Sequence, residues 1–203
     1  MVIGISGGSA SGKTTFTEAL VQALEGVETV VLNQDRYFRD WELLPPEKRE
    51  VERTSNHPRA ILWDGLVAQV ADLKAGRSIC TPIEGTRGYR LQQQTTVEPA
   101  DLVIVEGHLV FWEARLRDLM DVKIFMEVDD HERVLRRMVR DTQGGRRGLD
   151  KAVAWYRRDV IPNYSVYTAP TREFADLIVP YEGDGEKAIE VVVTGIRQIL
   201  RAD

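Results

Sequence analysis

Gly7-Gly8-Ser9-Ala10-Ser11-Gly12-Lys13-Thr14 follows directly on a short apolar run, Val2-Ile3-Gly4-Ile5, and the order of these two stretches decides the fold. The eight residues match G-x-x-x-x-G-K-[ST], a loop whose small residues let backbone N–H groups wrap a chain of phosphates. A helix behind the loop aims the positive end of its dipole at the same anion. The sequence supplies that helix: Phe16, Ala19, Leu20, Ala23 and Leu24 recur at helical spacing, and Gly26 stands where a C-terminal capping glycine belongs. A strand before and a helix after separate this P-loop from a chance turn rich in glycine and serine. Gly7 to Thr14, with Thr15 beside them, are therefore assigned to nucleotide phosphates. Lys13 adds a point charge near the β- and γ-phosphates, and the Thr14 hydroxyl is placed to hold Mg²⁺.

Working outward, strand-like and helix-like segments alternate, which predicts an α/β fold with a mostly parallel central sheet flanked by helices. Thr29-Val30-Val31-Leu32 reads as a second strand that delivers Asp35 to its C-terminal end, where ligands bind in open α/β sheets. A turn-forming or capping aspartate is the competing reading of Asp35. Residues 36–57, with Pro45-Pro46, look like a flap, and a helix is expected from about Pro58 to Lys74. Residues 78–97 are β-leaning and glycine-interrupted, as in a small hairpin insertion. Leu102-Val103-Ile104-Val105 is the clearest buried strand, and it ends in Glu106-Gly107, which makes Glu106 a candidate magnesium-orienting acid unless it merely caps a corner.

The strand Val122–Val128 runs into Asp129-Asp130, an N-cap for a basic helix carrying Arg133, Arg136, Arg137 and Arg140. Arg146-Arg147 then lie between glycines, so about 142–149 is expected to form an arginine lid over the phosphates, in place of an ordinary solvated charge run. A helix over about Asp150–Val160, an irregular stretch over 162–171, a last strand and a C-terminal helix complete the chain. At 203 residues with 43% hydrophobic and 29% charged positions it reads as one globular domain, 1–203. A net charge of −5 argues against nucleic acid as the main partner. With the single cysteine Cys80, no signal-like N-terminus and no apolar run of spanning length, a cytoplasmic location without membrane association is expected. Self-association is left open.

These motifs, taken together, resemble the phosphoribulokinase and uridine kinase family. The carriers are the P-loop, Gln34-Asp35-Arg36-Tyr37-Phe38, Asn56-His57-Pro58, Glu106-Gly107, Arg136-Arg137-Met138-Val139-Arg140-Asp141 and Pro170-Thr171-Arg172-Glu173-Phe174-Ala175-Asp176, in that order over nearly the whole chain. The resemblance implies an ATP- or GTP-dependent kinase acting on a small hydroxyl acceptor. Asp35 would be the base, Thr14, Glu106 and Asp35 would serve Mg²⁺, and Arg137, Arg140 and Arg147 would face the phosphates. It places Tyr37, Phe38, Arg59, Glu84, His108 and Trp155 near the acceptor. Three departures bear on the substrate: His57-Pro58-Arg59 stands where the family has His-Pro-Asp, Ile83-Glu84-Gly85 where it has Tyr-Asp-Phe, and Trp155 where it has glutamine. Nicotinamide riboside, a sugar or a sugar phosphate are alternative acceptors, and Asp141-Thr142-Gln143-Gly144 leaves a non-catalytic nucleotide switch as a further alternative.

Overall fold

The computed structural model describes residues 1–143, 148–181 and 185–201. β1 (Val2–Gly7) leads through the P-loop into α1 (Lys13–Ala23), and β2 (Thr29–Asn33) follows. Short 3₁₀ turns and α2 (Pro46–Glu52), with proline in its first turn, occupy the expected flap. α3 (Trp63–Lys74) precedes an antiparallel hairpin of β3 (Ile79–Thr81) and β4 (Thr95–Val97), which encloses the short helix α4 (Arg87–Arg90). Then come β5 (Leu102–Glu106), α5 (Ala114–Arg117), β6 (Val122–Glu127), α6 (Asp130–Thr142), α7 (Leu149–Trp155), α8 (Ile161–Asn163), β7 (Leu177–Pro180) and α9 (Glu186–Leu200).

The five long strands form one parallel sheet in the order β2-β5-β1-β6-β7. Both faces are covered, which explains the unbroken apolar runs of β1 and β5, every residue of which is buried. Alternate side chains feed two cores. Val2, Val103 and Val105 pack toward α3 and Phe111, whereas Ile3, Ile5, Leu102 and Ile104 pack toward α1 and α9. The register sets Ile5, Glu106 and Asn33 side by side, so three strand ends open onto one edge.

Two segments depart from expectation. The helix expected from Pro58 is a 3₁₀ turn, Pro58–Ala60, followed by extended residues before α3 begins. A bridge between Phe38 and Ile61 and the bond from Leu62 N to Tyr37 O use those backbone groups on the flap instead. The stretch expected to be irregular is helical, α8 and a π turn (Tyr164–Thr168) running into a 3₁₀ turn (Ala169–Phe174). Pro162 and Pro170 fall close to the points where this continuous helical run changes from π to α and from π to 3₁₀ turns.

Gly4 is closely packed in the sheet. A Cβ there would lie 2.7 Å from Phe111 Cε1 and strike the end of Met120. Gly4→Val should therefore destabilise the fold by about 1–3 kcal/mol through overpacking, read as a lower urea midpoint with an unchanged m-value.

Candidate active site

The P-loop backbone takes the conformations its small residues permit. Gly7, Ala10 and Gly12 all have positive φ, at 143°, 66° and 85°. A Cβ on Gly12 would meet the Tyr181 ring, and one on Gly8 would meet the Arg133 guanidinium. Arg133 is buried over the Tyr164 ring, 4.0 Å from its centroid, and so walls one side of the loop. Lys13 Nζ donates to the Gly7 and Gly8 carbonyls at 2.9 Å each. Burial lowers its pKa to about 8, although Glu106 and Asp35 oppose the shift.

Glu106 is buried at the tip of β5. Its carboxylate accepts from the hydroxyls of Thr14 at 3.3 Å and Thr17 at 3.5 Å, and from Asn33 Nδ2 at 2.7 Å. Burial raises its pKa against the pull of Lys13 and these donors. Asn33 does a second job, since its Oδ1 accepts from Asp35 N at 2.7 Å and caps the 3₁₀ turn Gln34–Tyr37. Gln34 points inward, where its Oε1 accepts from Leu109 N. A Cβ on Gly107 would lie 2.8 Å from Gln34 Cδ, which accounts for glycine after the acid.

Asp35 is reached by solvent, yet the protein packed around its carboxyl raises its pKa, while Lys13, Arg140 and Arg137 pull it down. Two cavities flank it. One, of about 450 Å³, is lined by Ser9, Ala10, Gly12, Lys13, Thr14, Thr15, Glu106, His108 and Arg140 among others. The other, of about 1050 Å³, lies between the flap, the hairpin and α6, with Phe38, Arg137 and Trp155 in its wall. Among the described residues, Asp35 is the one that lines both.

Not every expected residue comes to these cavities. Tyr37 is fully buried and donates to Gln69 Oε1 at 2.6 Å, so it belongs to the core beneath the flap. Arg59 and Glu84 are exposed and line neither cavity; the Arg59 guanidinium donates to Glu52 O instead. His108 lines the P-loop cavity and not the larger one. Its Nε2 lies 2.8 Å from Ser55 O and must carry the proton, because a carbonyl only accepts. Arg147 lies outside the described residues. Asn33 and Thr17 were missed, although Thr17 stands one helical turn after Thr14 and Asn33 closes β2, both visible in spacing.

The donors suit a magnesium nucleotide. Thr14, Glu106 and Asp35 offer only oxygen, and among the described residues no group of three or more His, Cys, Asp or Glu could cage a metal. Mg²⁺ characteristically takes few protein ligands and completes its shell with phosphates and water. The buried Ser11 hydroxyl has no hydrogen-bond partner among the described residues, which fits a loop whose polar groups serve phosphate oxygens.

A parallel sheet with this loop, an acid on the neighbouring strand tip and a second cavity across one carboxylate defines a P-loop small-molecule kinase. Residues 2–186 match the model of the Phosphoribulokinase / Uridine kinase family, and the chain belongs to it. It is 39% identical to a uridine kinase of Ligilactobacillus salivarius over 99% of this chain and 94% of that one. It is 40% identical to a uridine kinase of Lactiplantibacillus plantarum over 98% and 96%. Among solved structures, a chain from Silicibacter sp. TM1040 superposes with a TM-score of 0.66 at 24% identity over 89% of each chain, which shows the shared fold. No helix among the described residues is long and apolar enough to cross a membrane.

Two outcomes follow from this geometry. Tyr37→Phe should cost about 1–2 kcal/mol by leaving Gln69 a hydrogen bond short, with the acceptor KM unmoved, as thermal unfolding and steady-state kinetics would show. Burial lowers the His108 pKa from 6.5 to about 3, so the folded state prefers the neutral ring. Stability is then complete above pH 6.5 and falls as pH drops from 6.5 toward 3. At pH 5 the loss should be on the order of 1–2 kcal/mol, and a His108→Gln variant should lack that part of the decline.

Proposed function

We propose that the protein transfers the γ-phosphoryl group of ATP to a hydroxyl of a small molecule seated in the larger cavity, in the manner of the uridine kinases it resembles. The observation that carries this reading is the position of Asp35, which alone among the described residues lines both cavities. Asp35 takes the proton from the acceptor hydroxyl as its oxygen bonds to the γ-phosphorus and the bond to the β,γ-bridging oxygen breaks. Lys13 and Arg140 hold charge on the nucleotide side, and Arg137 on the acceptor side. Mg²⁺, held by Thr14 and Glu106 with Asp35 in reach, would neutralise charge on the phosphates. Arg147 is assigned to the same lid on sequence grounds alone. Of the residues proposed for the acceptor, Phe38 and Trp155 are the two whose place in the larger cavity supports the role.

A nucleoside-sized acceptor fits the cavity, and a sugar-type acceptor fits it as well, a choice the arginines in its wall bear on. The switch reading has less support. In it Asp141 would present a backbone or carboxylate to a γ-phosphate from a strand tip, whereas here Asp141 sits on α6 and pairs with Arg137 and Arg140.

Asp35→Asn should lower kcat by about 10²–10⁴-fold while ATP binding is kept or tightened, since a negative charge beside the phosphates is removed. Coupled measurement of ADP release with calorimetric ATP titration reads both. In the parent enzyme, turnover should fall as pH drops through an Asp35 pKa that lies above the ordinary carboxylate value of 3.8. Undiminished turnover in the variant would remove Asp35 as the base.

A further inference from the structure

Among the described residues, the wall of the larger cavity carries six arginines, Arg36, Arg39, Arg53, Arg87, Arg90 and Arg137, against four acids, Asp35, Asp40, Glu42 and Asp141. Three of the acids are already engaged. Asp40, buried, pairs with Arg90; Asp141 pairs with Arg137; Glu42 pairs with Arg49, outside the cavity. Among the described residues, Arg36, Arg39, Arg53 and Arg87 make no ion pair with any carboxylate. Four guanidinium groups without an ion pair thus line one concavity of a chain whose 27 basic residues are outnumbered by 32 acidic ones, Arg87 feeling only the field of Asp40.

Isolated surface arginines are ordinary, and these four, exposed as they are, differ in lining one cavity wall. Arg39 bridges backbone to backbone with Thr86, the residue before Arg87, so flap and hairpin bring the two side chains to one wall. Arg39 Nε is steadied by Arg59 O at 2.9 Å. The segment bearing Arg53 is anchored by Arg158, which donates to the Arg53 and Glu50 carbonyls. Like charges held together in a cleft repel one another and focus the field that an anion would satisfy. The planar fork of a guanidinium fits phosphate and carboxylate oxygens two at a time.

We infer that the acceptor carries an anionic group, a phosphate or a carboxylate, apart from the hydroxyl that is phosphorylated, and that Arg39 and Arg87, with Arg36 and Arg53 beside them, bind it. The inference rests on the kinase reading for the identity of the acceptor, but the anion subsite itself stands on the cavity. It also gives the departure at Arg59 a context: an arginine stands where the family has an aspartate, and the unpaired charge in the wall of the neighbouring cavity is cationic.

The test uses the full chain saturated with Mg²⁺ and a non-hydrolysable ATP analogue, so that added anions do not enter the P-loop. Matched pairs are titrated calorimetrically at constant ionic strength: ribose and ribose 5-phosphate, fructose and fructose 6-phosphate, glycerol and glycerate, with uridine as a neutral nucleoside. The anionic member of at least one pair should bind about 10- to 100-fold tighter than its neutral partner. Arg39→Gln and Arg87→Gln should each remove about tenfold of that preference, and Arg87→Lys should restore part of it. The phosphate and glycerate arms tell the two anions apart. Equal affinity within every pair, no binding by any anionic member, or a preference that survives both glutamine variants would each overturn the inference. ADP release from the same compounds with ATP is scored separately. Turnover of uridine without an anion preference keeps the kinase and removes the subsite; an anion preference without ADP release keeps the subsite and removes the kinase.

Discussion

A buried carboxylate must be solvated by the protein itself, and Glu106 is where this fold meets that demand. Its partners come from three separate pieces of chain: Thr14 and Thr17 on α1, Asn33 on β2, and the field of Lys13 from the P-loop. None of these reaches it unless β1, β2 and β5 run parallel in the observed register, with Asn33 and Ile5 both opposite Glu106. The acid therefore couples sheet pairing to loop geometry. Because Asn33 also holds the backbone of Asp35, the carboxylate on one strand tip fixes the position of the carboxylate beyond the next.

Much of this was legible because it is written locally. The P-loop is a contiguous motif with a strand and helix at its sides, and β5 is a run of branched apolar residues closing on an acid. The parallel sheet followed from alternation, and the hairpin from β-leaning ends around glycines. In each case the pattern that forms the element is also the pattern that identifies it.

What stayed hidden depends on partners distant in sequence. Tyr37 lies between the exposed Arg36 and the half-buried Phe38, and its place in the core rests on partners far along the chain, its apolar neighbours Leu66 and Val70 and its bond to Gln69, 32 positions away. The carboxylate of Asp159 accepts from Asn56 Nδ2 at 2.6 Å and from Ser55 N, fixing the end of the flap to the helices after α7. Nothing near either residue signals this. Likewise, the sequence shows a surplus of arginine around the flap and hairpin, but not which arginines find an acid. Asp40 pairs with Arg90 across 50 positions, whereas Arg87, three residues earlier on the same short helix, makes no ion pair among the described residues.

Asp141 illustrates how such pairing turns composition into a site. One of its carboxylate oxygens accepts from Arg137 and the other from Arg140, so a single acid splays two guanidinium groups that are one helical turn apart. Arg137 then faces the larger cavity and Arg140 the P-loop cavity, where it approaches Ser9. Asp35 lies at the boundary that the pair straddles. A phosphoryl group passing from one cavity to the other would stay within reach of positive charge on both sides. The charge run on α6 is thus neither a plain solvated face nor a loose cluster, because two of its arginines are buried and a third is held by the acid that follows them.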